Sequence, residues 1–298
     1  KVQNLEISNA AQGIVVNITS LGNQGLIFSN LYIHDIDLIL KTVPANSIGV
    51  WNSIAIIFQG SAPAPSATQW WLKDVEISNV TTLRTDFTSF TAVDGFLPTT
   101  FKGIRIHDNT VTTVPGVGMA FQESSNVKVF SNKVDNCALL HQSQGTTCTF
   151  LWRTQDLTFS NNMITNIPDA GANDKAAVTL ENFNDQSRFR SNYMAGAAGS
   201  ALEFLSLAGS ESFNTNHEAS GNAFSGNNTS GSTIFKSSLM YYGSSTAPFT
   251  GIARDNLYYE PSGFLNDSSL FASWTLTNNL SISSAANLYN AGNGYGNT

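Results

Sequence analysis

Apolar and polar residues alternate along this chain in short runs. "VKVF" (127–130), "IRIH" (104–107), "VEIS" (75–78) and "LTFS" (157–160) all put an apolar side chain at every second position. That period-2 pattern predicts strands with one face turned inward, and no long stretch carries the 3.6-residue period of a helix. The runs end in a small polar residue and an Asn. Aligning on that Asn gives Asn9, Asn30, Asn79, Asn109, Asn132, Asn162, Asn192, Asn222, Asn256 and Asn279, at intervals of 21, 49, 30, 23, 30, 30, 30, 34 and 23. A recurrence of roughly 20 to 35 residues with one long exception is the signature of a solenoid. Because the repeating unit is strand-like, helical and leucine-rich repeats are excluded. A parallel β-helix remains, its coils stacked about 4.8 Å apart.

One coil can be written out from 118–148: a first strand "GMAFQ", a short turn "ESS", a second strand "NVKVF", an "SN" corner, a third strand "KVDNC" and a variable loop. In this arrangement the sequence resembles the right-handed parallel β-helix superfamily of pectin-lyase-like proteins. There, a tight corner between second and third strands is often filled by a stacked Asn. The resemblance covers nearly the whole chain. It implies an all-β, right-handed, single-stranded parallel β-helix of about ten coils with an Asn ladder. Residues 1–298 would form one domain, about 285–298 being a C-terminal tail or linker. Asn tolerates left-handed backbone, and its amide can both donate to and accept from stacked neighbours, so the ladder is expected to be structural. Between Asn30 and Asn79, "LILKTVPANSIGVWN" and "GSAPAPSATQWW" read as long loops rather than an extra coil. A solenoid end needs a cap, and "KVQNLEIS" begins inside the repeat, so a cap or partner domain is expected upstream.

Composition narrows the class. Only 12% of residues are charged, about half the usual quarter, whereas 41% are hydrophobic, so the chain folds rather than staying disordered. Net charge is −7, pI is near 5.0, and no Lys/Arg run occurs. Nucleic-acid binding, which needs a basic footprint, is therefore disfavoured. No apolar run reaches the ~20 residues of a membrane span. Cys137 and Cys148 are expected to form a disulfide pinching the loop between them, with two buried thiols as the competing reading.

In the superfamily, substrate usually lies along the first-strand sheet. Here the ends of those strands carry a row of polar groups: Gln59, Asp94, Gln122 or Glu123, Arg153 and Glu181. Glu181 and Glu203 fall on adjacent coils offset by two residues, roughly 8 Å apart, within the range (about 6.5–9.5 Å) of an inverting glycosidase pair. They are the expected catalytic carboxyls, with Arg153 lowering the pKa of Glu181. Asp94, Glu123, Gln122, His141 and Trp152 are expected to contact substrate; Trp70 and Trp71 are further stacking candidates. Asp169, Asp174 and Lys175 read as solvated loop charges, and His34 and His107 as structural.

These readings point to a secreted, extracellular carbohydrate-active enzyme, first a hydrolase of a polysaccharide. A lyase using Arg153 as base is second. A non-catalytic adhesin, filament or surface-layer subunit is third. The polygalacturonase motifs "NTDG", "GHG" and "RIK" do not occur in the chain. No cofactor and no metal site are expected; no tight acidic cluster is visible to hold calcium, which is nevertheless left open. The expected partner is a polysaccharide or glycan, with no nucleic acid and no membrane insertion; further domains or self-association at the solenoid ends are allowed.

Overall fold

The computed structural model describes residues 1–36, 54–60, 62–66, 68–92, 100–139, 146–171, 174–231, 237–259, 265 and 268–282. Eight first strands form one parallel sheet: Ile14–Ile18, Ile54–Gly60, Asp86–Phe90, Met119–Gln122, Thr146–Trp152, Asp174–Glu181, Leu202–Ser206 and Leu239–Gly243. Second and third strands form a seventeen-stranded ribbon that turns a corner within each coil. Its second strands run from Val2–Ser8 through Ser124–Phe130 to Trp274–Thr277, ten among the described residues. The chain is a right-handed parallel β-helix of about ten coils, the hand that parallel crossovers adopt.

Strand register settles the long interval. Asn23–His34 pairs directly with Leu72–Leu83, Phe28 opposite Ile77 and Ile33 opposite Thr82, so no coil intervenes between Asn30 and Asn79. The segment 38–52 lies outside the described residues.

The core is a set of columns, one side chain per coil. Ile77, Ile106, Val129, Phe159 and Phe189 stack on the second-strand side. Phe58, Phe90, Phe121, Leu151, Leu180 and Phe204 stack on the first-strand side. Phe58 and Phe90 rings lie 4.4 Å apart, nearly parallel. Each such side chain contributes about 1.5–3 kcal/mol by leaving water. Trp71 is fully buried and donates to the Pro63 carbonyl, so it is core rather than a sugar platform.

The Asn ladder occupies seven coils. Asn109, Asn132, Asn162, Asn192, Asn222, Asn256 and Asn279 are all at most 2% exposed. Each of the first six donates its amide to the next Asn's Oδ1 at 2.8–3.1 Å, and that Oδ1 also accepts the donor's backbone N–H. Asn9, Asn30 and Asn79 are not rungs. They sit one residue earlier, exposed, at φ 52–54°. Leu31 and Val80 take the rung position, and the Val80 N–H donates to Asn109 Oδ1. The cause is a one-residue slip of the motif: His107 stands opposite Ser78 and Phe130 opposite His107, so Ser131 and Asp108 match Asn79. The left-handed residue throughout is the one preceding the rung, as at Ser131 (φ 56°) and Gly221 (φ 62°), not the stacked Asn.

Cys137 and Cys148 form a disulfide buried in the core. Gly118 makes room for it: a Cβ there would stand 3.2 and 3.4 Å from the two sulfurs. Among the described residues no helix is long and apolar enough to cross a membrane.

Candidate active site

The outer face of the first-strand sheet carries two columns side by side. In one, Asn17 stands opposite Gln59, and further along Gln122, Trp152, Glu181 and Leu205 succeed one another in register. In the other, Ala120, Phe150, Thr179, Glu203 and Met240 do so. Glu181 lies opposite Leu205 and Glu203 opposite Thr179, so the carboxyl-bearing residues are offset by one coil and two residues.

The second column is not open as the alternation alone suggests. Ala120, Thr179 and Glu203 point away from the core yet are at most 1% exposed, and Met240 is fully buried. The Glu203 carboxyl accepts the Thr179 hydroxyl at 2.7 Å, while its Oε1 is buried without a partner. Burial first, then the nearby Asp174, pushes its pKa well above the ordinary carboxylate range. Glu181 is half-buried, accepts the Asn182 amide at 3.3 Å, and is pushed up by burial.

Asp174 is the residue that sequence reasoning missed. Burial, and secondarily Glu181, raises its pKa to about 7. A local distortion puts it there. Asp174 and Lys175 are consecutive left-handed residues (φ 63° and 60°), and the register slips where they meet Thr146 and Thr147. Gly199 on the next coil permits the bulge, because a Cβ would overlap the Asp174 carbonyl. Lys175 turns away to Asp169 at 2.7 Å, leaving the acid without its neighbour's charge. The only available signal was the "ND" pair before an apolar strand, an Asx pair tolerant of left-handed backbone.

Arg153 does something other than tune Glu181. It and Glu123 stand one residue beyond the column, at the turn, both with φ 50°. The Arg153 guanidinium lies 4.3 Å from the Phe183 ring centre and 5.6 Å from that of Trp152, with Nε 3.5 Å from the fully buried Glu123. Glu181 therefore rises rather than falls. Gln122 is 9% exposed and accepts the Ala92 N–H, and Trp152 is half-buried beside Glu181. Asp94 and His141 lie outside the described residues.

At the other end of the first column, Asn17, Ile18, Thr19, Gln59 and Gly60 line an open depression of about 400 Å³. Gln59 donates to Asn17 there at 3.1 Å. Among the described residues, no group of three or more His, Cys, Asp or Glu side chains is arranged to hold a metal ion.

No protein-family model matches the chain, and no curated protein matches it significantly. Solved structures do. A lacto-N-biosidase of family GH136 from Eubacterium ramulus superposes with TM-score 0.61 at 14% identity, over 95% of this chain and 49% of that one. PfbA, a surface adhesin of Streptococcus pneumoniae, superposes with TM-score 0.56 at 11% identity, over 96% of this chain and 73% of the adhesin. What these likenesses show is the fold, a parallel β-helix. The chain spans about half the length of the lacto-N-biosidase it matches.

Proposed function

We propose that the chain is a secreted carbohydrate-active enzyme that hydrolyses a glycosidic bond of an extracellular polysaccharide. The observation that carries this reading is the gathering of Asp174, Glu181 and Glu203, all with raised pKa, on two adjacent first strands. Glu203, whose pKa burial and the nearby Asp174 push well above the ordinary range, serves as general acid toward the leaving oxygen. Glu181, nearer solvent, ionises sooner and serves as general base. The two backbones are roughly 8 Å apart, and the separation of the carboxyl groups themselves sets the stereochemical outcome. Asp174 keeps the Glu203 proton in place by repulsion between their ionised forms. Gln59, Gln122 and Trp152, along the same column, contact the sugar chain; Glu123, fully buried beside Arg153, does not.

A non-catalytic adhesin is the second reading. The complete burial of Glu203 favours it, since an acid must meet its substrate. A lyase with Arg153 as base is not carried forward: a guanidinium does not give up its proton in proteins. The likeness to an adhesin and to a lacto-N-biosidase concerns the fold, which hosts many activities.

The test is release of reducing ends from a panel of neutral and acidic polysaccharides, with ultraviolet absorbance followed in parallel. Hydrolysis gives new reducing ends without a conjugated double bond, and Glu203→Gln and Glu181→Gln each abolish it. Full activity in either variant ends the assignment. No release across the panel, with binding retained, moves the chain to the adhesin reading.

A further inference from the structure

A different face of the solenoid carries cations that its own carboxylates balance only in part. Of the twelve described Lys and Arg residues, eight face a carboxylate within an ion pair: Lys73, Arg84, Arg105, Arg153, Lys175, Arg188, Arg190 and Arg254. Lys1, Lys102, Lys128 and Lys133 have no such partner among the described residues, and the last three are exposed on two adjacent coils. The register makes this costly. Lys73 stands directly opposite Lys102, and Arg105 directly opposite Lys128. Like charges in facing positions of a sheet are destabilising. Local acids compensate half of each pair only: Asp74 reaches Lys73 at 3.6 Å, and Glu76 reaches Arg105 at 3.3 Å.

Between these cations lies an aromatic surface. Phe130, half-buried, stacks on His107 with ring centres 4.6 Å apart and planes within 7°. His107 itself is engaged with Asp108 at 2.7 Å and Glu76 at 3.8 Å. Phe130 follows Lys128 by two residues on the same outer face, and Lys133 begins the third strand just past the corner. Lys102 and Lys128 are separated by one coil and about three residues, roughly 10 Å at the backbone.

We infer that this second-strand face binds an anionic glycan, a sugar chain bearing repeated carboxylate or sulfate groups. The lysines supply the counter-charge and Phe130 supplies a ring face for a pyranose. An anion there relieves both facing pairs, and the −7 chain confines attraction to this patch. The site lies on a different sheet from Glu181 and Glu203 and does not depend on their chemistry.

The experiment is binding of the intact chain to polygalacturonate, to heparin and to neutral dextran at low and moderate salt, with single-stranded DNA as an anion lacking pyranose rings. Binding to polygalacturonate or heparin but not dextran, weakened by salt, is expected. Preference between the two identifies carboxylate or sulfate as the group read. A Lys102→Gln/Lys128→Gln/Lys133→Gln variant should bind at least tenfold more weakly while melting at the same or a higher temperature. Arg188→Gln, which removes a paired cation, should bind as the parent does. No binding to either acidic polymer, an unaffected triple variant, or equal affinity for DNA overturns the inference. Because none of these variants touches Glu181 or Glu203, loss of binding leaves the hydrolysis assay intact as a separate result.

Discussion

The Asn corner and the outer face of the first-strand sheet both bury polar groups, and they do so in opposite ways. At the corner every amide is matched: Asn162 donates to Asn192 and to the Val129 carbonyl while its oxygen serves Asn132. On the face, Glu203 has one hydroxyl donor and a buried oxygen without a partner, near two other acids. Satisfied polar groups rigidify a fold, and unsatisfied ones are costly and adjust by changing protonation. The contrast separates the two regions: the solenoid is pinned where its polar groups are matched, and its carboxyls shift toward their protonated forms where they are not.

The largest effect is expected from breaking the matched side. Asn192→Ala strips the Asn162 amide and backbone N–H of their acceptor and should cost roughly 2–4 kcal/mol in denaturant unfolding. Asn109→Val should cost clearly less, about 1 kcal/mol, because it strands one donor, the Val80 N–H, rather than two, and fits beside the apolar rung that Leu31 and Val80 already form. Equal losses would mean that the ladder is not a chain of coupled bonds.

Next comes the disulfide. Replacing Cys137 and Cys148 together with Ala should lower stability by about 2–3 kcal/mol, since the bridge closes a loop of eleven residues. A melting curve with and without reductant measures it.

The unmatched side should reveal itself through pH. Glu203 has a raised folded pKa, so the folded state holds a proton that the unfolded chain releases above the ordinary glutamate value. Stability therefore falls as pH rises above about 4.5 toward the raised folded value, by up to about 1.4 kcal/mol per unit, and Glu203→Gln should reduce that slope, leaving the share that Asp174 and Glu181 contribute. His217 provides the opposite slope. It is buried against Phe204 and Trp274, takes the Ser187 N–H on Nδ1, and burial lowers its pKa to about 3. The unfolded chain takes up the proton first, so stability is lost as pH falls from about 6.5 toward 3. His217→Phe should flatten the acid limb alone, as unfolding at pH 4, 5 and 6 would show.

Much of this contrast was legible in the sequence, and the exceptions have physical causes. The strands, the coil count and the seven true rungs follow from period-2 patterning and recurrence, which burial enforces. Asn9, Asn30 and Asn79 misled because a one-residue slip preserves the spacing while exchanging an inward rung for a left-handed, exposed corner. Glu181 and Glu203 were placed on the right strands because Leu180, Leu202 and Phe204 fix the inward face. Asp174 was hidden because its position depends on a two-residue bulge and on Gly199 of the next coil, neither of which alternation encodes. Arg153 and Glu123 were displaced by a turn residue that left the column.

The central claim is that protons reside on the first-strand face at neutral pH. A carboxyl carbon-13 titration of the chain, with Glu203→Gln and Asp174→Asn to assign the signals, tests it most directly. The account predicts that Glu203 titrates well above the ordinary glutamate value and that Asp174 titrates near 7. If both have ionised by pH 5, the face is an ordinary charged surface and the acid–base reading falls with it.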